Sequence, residues 1–124
     1  MLINQFLDIV SSANFNMAHM ENVLFNKIIM NSRFHFAHLE CVSFYGEISK
    51  CSFASAYFIK INFHNSMIES NCKLVDLDEV NFYKEVNQVN FDAAQFRCVN
   101  FQDKMFKCIF NRAKQTDVVF LRQL

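Results

Sequence analysis

Apolar residues come in pairs two apart, and the pairs recur every five positions: Ala13/Phe15, Ala18/Met20 and Val23/Phe25 early in the chain, Val89/Phe91, Ala94/Phe96 and Val99/Phe101 later. Residues two apart share one face of an extended segment, so each pair points inward and the residue between them points out. That outward residue is often Asn or Asp, as at Asn14, Asn62, Asp76, Asn81, Asn90 and Asn100. A helix would repeat its apolar stripe at three and four, and a plain strand would alternate without interruption. The five-residue beat predicts short extended sides joined by tight corners.

A longer period overlies the beat. Phe25, Phe44, Phe63, Phe82, Phe101 and Phe120 stand 19 residues apart. Parallel columns run Phe15, Phe34, Phe53, Cys72, Phe91, Phe110; Ala18, Ala37, Ala56, Val75, Ala94, Ala113; Val23, Val42, Ile61, Val80, Val99, Val118; and Ile29, Ile48, Met67, Val86, Met105. Columns held apolar in this way suit a stacked solenoid, where each coil buries its side chains only against its neighbours. The pattern predicts an all-β solenoid of about six coils over residues 12–124. Four five-residue sides would make 20, so one side of every coil is expected to be a residue short. A triangular left-handed helix also approaches a 19-residue coil, but the five-residue spacing argues against it.

The unit resembles that of the pentapeptide-repeat proteins, which reads Ala, then Asp or Asn, then Leu or Phe, then two variable residues. The resemblance is carried by A-N-F-N-M (13 to 17), A-H-L-E-C (37 to 41), V-N-F-Y-K (80 to 84), V-N-F-D-A (89 to 93), A-Q-F-R-C (94 to 98) and V-N-F-Q-D (99 to 103). It implies a right-handed quadrilateral β-helix with the central Phe or Leu stacked along the axis. The residues themselves are read as a non-catalytic scaffold that presents a rigid surface for protein interaction. Some bacterial members of the family bind DNA gyrase by imitating duplex DNA, and that is the alternative reading here.

The first eleven residues stand apart. Leu2, Ile3, Phe6, Leu7 and Val10 fall at helical spacing and predict an amphipathic capping helix over residues 1–11, too short to span a membrane or to serve as a secretory signal. At the other end Phe120, Leu121 and Leu124 would leave apolar surface and unpaired backbone exposed, so a second copy of the chain is expected to cover them as a homodimer.

The corners must turn with no Pro and a single Gly, Gly46, so Asn, Ser, Asp and Lys are expected to make them. Among five Cys, Cys51, Cys72 and Cys108 lie in inward columns as small core residues, while Cys41 and Cys98 lie outward, three coils apart. No C-x-x-C occurs, and reduced thiols in a cytoplasmic compartment are expected. His19 and Glu21 recur as His38 and Glu40, two pairs stacked on one outer face. They could offer a divalent metal four ligands, but Tyr57 and Ile59 end the series and a solvated face is the expected reading. No Ser/His/Asp set or Gly-rich phosphate loop appears, so neither enzyme activity nor a cofactor is expected.

Twelve Lys and Arg balance twelve Asp and Glu, which leaves no strong field for nucleic acid or an anionic membrane. Residues 69–87 hold five acids and two bases, and residues 88–124 three acids and six bases, so the long acidic track of a DNA mimic is missing. A lone Thr, Thr116, excludes an ice-binding Thr ladder. The outward apolar residues point instead to a protein surface: Met17, Phe36 and Leu74 share one corner column, and Tyr45 and Tyr83 another.

Overall fold

The computed structural model describes residues 4–120, and all of its regular structure is β-strand. Four parallel ladders run the length of the molecule, each joining residues 19 apart. One begins Asn14↔Arg33↔Ser52. The others run through His19↔His38↔Tyr57, Gln5↔Leu24↔Ser43↔Asn62 and Val10↔Ile29↔Ile48↔Met67. Each ladder is one side of a four-sided coil; in chain order they are the Asn14, His19, Val23 and Ile29 sides. In the later coils the His19 and Val23 sides join into single strands, Tyr57–Phe63, Asp76–Phe82, Gln95–Phe101 and Lys114–Phe120.

Phenylalanine fills the axis. From Phe6 to Phe120 the rings of the Val23 side stack with centroids 4.5 to 5.1 Å apart and planes within 9° of parallel. A second stack runs through Phe15, Phe34 and Phe53 on the Asn14 side at 4.9 and 4.7 Å and meets the first edge-on. Cys72 interrupts it, with its Sγ 3.9 Å from Met67 Sδ, and Phe91 and Phe110 resume it. Offset stacking within a column and edge-to-face contact between columns are both favourable aromatic geometries.

The corners show what the 19-residue coil leaves out. Eighteen non-glycine residues adopt left-handed backbone with φ between 47° and 62°, at three corners of each coil. The columns are Ser12 to Lys107, Met17 to Arg112 and Asn22 to Asp117. The fourth corner, between the Val23 and Ile29 sides, has no left-handed residue, and it is where the chain enters the Ile29 side that each coil is one residue short. The left-handed turn aims the N–H along the axis: Met17 donates to the His35 carbonyl (2.7 Å), Phe36 to Ala54 (3.1 Å) and Cys41 to Ile59 (2.9 Å). Each such bond is worth about 0.5–1.5 kcal/mol net and offsets much of the roughly 1–2 kcal/mol that left-handed backbone costs a residue with a Cβ. Because the backbone makes the turn, the corner set is wider than Asn, Ser, Asp and Lys, and includes Met, Phe, Cys, Glu, Leu, Gln, Ala and Arg. Gly46 sits at the fourth corner without positive φ; a Cβ there would overlap the Lys27 carbonyl and the Ile28 nitrogen.

The capping helix expected over residues 1–11 is not formed among the described residues. Asn4–Phe6 and Val10–Ser11 are strands paired with Val23–Phe25 and Ile29–Met30, so the solenoid already includes them. Phe6 and Val10 lie 19 residues before Phe25 and Ile29, and stacking on an existing coil prevails over an isolated turn of helix. Leu2 and Ile3 lie outside the described residues. No helix among the described residues is long and apolar enough to cross a membrane.

Candidate interaction surface

The five outward residues singled out from the sequence lie on two ridges at diagonally opposite corners. Met17, Phe36 and Leu74 occupy the left-handed column between the Asn14 and His19 sides, 78%, 68% and 53% exposed. Tyr45 and Tyr83 lie on the Val23 side at the glycine corner. The sequence did not single out the residue between them: His64 fills the gap, its ring 4.4 Å from Tyr45 and 5.1 Å from Tyr83, nearly parallel to both. Beside this stack runs an amide ladder, with Asn81 Nδ2 donating to Asn62 Oδ1 (3.0 Å) and Asn100 Nδ2 to Asn81 Oδ1 (2.9 Å). The ladder bonds tie coil to coil, and the stacked rings turn their edges to solvent.

The paired His and Glu residues share the His19 side. The His19 and His38 rings lie 4.6 Å apart, tilted by 55°, and each imidazole turns to its own carboxylate, His19 Nε2 to Glu21 Oε1 at 3.2 Å and His38 Nε2 to Glu40 Oε1 at 3.7 Å. Among the described residues no group of three or more His, Cys, Asp and Glu side chains converges on a metal-sized site.

A shallow open groove follows the corner between the Ile29 and Asn14 sides, lined in part by Ser32, Cys51 and Ser70. Its polar groups already serve the fold. Ser32 Oγ accepts from Ala13 N (3.1 Å) and donates to the Met30 carbonyl (3.0 Å). Ser70 Oγ accepts from Cys51 N (3.2 Å) and donates to the Ile68 carbonyl (2.8 Å). Burial pushes the Cys51, Cys72 and Cys108 thiols up, most strongly at Cys72, so none is poised as a thiolate nucleophile. Cys41 and Cys98 are exposed and free.

The end coils carry a signal that column-by-column reading could have found. Three outward positions held by Asn in the preceding coil turn apolar in the last: Asn87 is followed by Phe106, in a column where Met30 and Ile68 are already apolar, Asn90 by Ile109 and Asn100 by Val119. All three replacements are exposed, as are Leu7 and Ile9 in the first coil. Phe120 stacks on Phe101 at 5.1 Å and is only partly buried. Leu121 and Leu124 lie outside the described residues.

These features define an all-β, four-sided solenoid of about six coils with a 19-residue period. Solved structures of similar fold include HetL, a pentapeptide repeat protein involved in heterocyst differentiation regulation from the cyanobacterium Nostoc sp. strain PCC 7120 (9% identity, 94% of this chain and 86% of that chain, TM-score 0.47). They also include Rfr23, a pentapeptide repeat protein from the cyanobacterium Cyanothece 51142 (12% identity, 90% and 84%, TM-score 0.31), and QnrB1, a plasmid-mediated fluoroquinolone resistance protein (13% identity, 89% and 68%, TM-score 0.36). No protein-family profile matches the chain, and no curated protein matches it by sequence.

Proposed function

We propose that the protein is a non-catalytic scaffold whose rigid outer surface binds another protein, with its end coils available for self-association. The Met17–Phe36–Leu74 ridge carries the reading. These side chains take no part in the axial core, and burying a large apolar side chain on a partner would contribute about 1.5–3 kcal/mol each. Left-handed corners accept Ser55 and Arg112 in the same column, so the fold does not require apolar residues there.

A Met17→Ser/Phe36→Ser/Leu74→Ser variant with the parent's melting temperature tests the ridge. A protein captured by the parent and lost by the variant supports it, and equal capture refutes it. A Tyr45→Ser/Tyr83→Ser variant, run alongside, tells which ridge makes the contact. Imitation of DNA is disfavoured by the His19 side and its adjoining corner, where Glu21, Glu40, Asp76, Asp78, Glu79 and Asp117 are interleaved with Lys60, Arg97 and Lys114. Arg97 Nη1 reaches Asp78 Oδ2 at 3.3 Å. No inhibition is expected in a DNA gyrase supercoiling assay.

A further inference from the structure

The two ends of the solenoid differ in charge. The first described coil, residues 4–22, holds Asp8 and Glu21 and no Lys or Arg. The last, residues 102–120, holds Lys104, Lys107, Arg112 and Lys114 against Asp103 and Asp117. The formal charges are therefore −2 and 4 − 2 = +2. Each end also presents two Phe rings stacked on one side only among the described residues, Phe6 and Phe15 at the first, Phe110 and Phe120 at the last. Exposed apolar residues rim both, Leu7 and Ile9 at one and Phe106, Ile109 and Val119 at the other.

We infer that copies of this chain associate head to tail, the N-terminal coil of one on the C-terminal coil of the next. This deepens the self-association part of the preceding reading and names both surfaces. A symmetric contact between two C-terminal coils would set +2 against +2, whereas the head-to-tail contact sets opposite charges together. Shape agrees with charge. Each end of a helical coil is a ramp: Phe110 precedes Phe120 by ten residues, and Phe6 precedes Phe15 by nine, each about half of a 19-residue coil. After a half-turn about the common axis the two ramps run parallel, with Phe6 over Phe110 and Phe15 over Phe120. The same half-turn sets the corner bearing Asp8 over the corner bearing Arg112, next to Lys114, and the side bearing Glu21 over that bearing Lys104 and Lys107. A heterologous contact of this kind does not close on itself, so it adds copies along the axis.

Two charge-reversed variants test the contact at exposed positions: Asp8→Lys/Glu21→Lys at the first coil and Lys107→Glu/Lys114→Glu at the last. Sedimentation of the full chain at low salt is expected to show the parent's average mass rising with concentration beyond that of a dimer, and falling at 1 M salt. Each variant alone is expected to remain monomeric, and an equimolar mixture to regain the parent's behaviour, because every contact in it again joins opposite charges. Assembly of the first-coil variant like the parent would overturn the head-to-tail arrangement while leaving self-association standing. A parent that stays monomeric at high micromolar concentration would overturn both, and would leave the Met17–Phe36–Leu74 ridge to its own test.

Discussion

Truncating Phe63 should be among the most damaging single changes available to this fold. The side chain is 1% exposed, and its ring lies between Phe44 at 5.0 Å and Phe82 at 4.8 Å, both within 8° of parallel. Phe53 and Phe58 flank it at 6.4 and 5.8 Å. Phe63→Ala leaves a cavity that the coils above and below cannot close, because their spacing is fixed by backbone ladders on every side; the expected loss is about 3–5 kcal/mol. With a urea slope of about 1–3 kcal/mol/M for a small protein, the denaturation midpoint should fall by roughly 2 M. Phe120→Ala is the internal control. That ring is only partly buried and stacks on Phe101 alone, so its loss should be about 1–2 kcal/mol. Equal midpoint shifts for the two variants, or an unchanged midpoint for Phe63→Ala, would refute the axial reasoning.

Gly46→Ala should destabilise by about 1–3 kcal/mol through overlap with the Lys27 carbonyl, while Lys84→Ala, at the same corner two coils on, should stay within about 0.5 kcal/mol; thermal melts of both check this. Asn81→Ala removes two amide-ladder bonds and should cost about 1–3 kcal/mol by chemical denaturation. A thiol reagent should label Cys41 and Cys98 promptly in the native protein and Cys72 only on unfolding. The raised Cys72 thiol also has a pH consequence: its neutral form is favoured in the fold, so its contribution is fully present below about pH 8.5 and declines at higher pH, as the unfolded thiol ionises. Replacing Cys72 with Val should flatten the alkaline limb of a stability profile.

The inward columns were legible because burial constrains them tightly: at Phe25, Phe44 and Phe63 only a ring of that size continues the stack. The N-terminal segment was misread because Leu2, Ile3, Phe6, Leu7 and Val10 satisfy a helical spacing while Phe6 and Val10 also satisfy the 19-residue one. The corners were poorly legible for a physical reason. Their left-handed geometry is held by N–H bonds along the axis, so Phe36, Cys41 and Glu69 turn the chain as Asn31 does. For the surface, the exposed apolar columns were visible, but their separation onto opposite corners depends on the order of the sides. His64 was missed because a Tyr-His-Tyr column does not look uniform until the rings are seen to stack.

The parallel stacking of coils also sets how the molecule would respond to tension. Each coil is held chiefly by its two neighbours, so a force applied to the ends should peel coils from the extremities and leave the middle intact until last. Every coil released would add 19 residues of slack, about 65 Å of extended chain. Except where Cys72 interrupts the second stack, the coil it leaves behind would expose a fresh pair of Phe faces, much like those that formed the previous end. The molecule would lengthen in equal steps under load and shorten by the same steps when the load is removed.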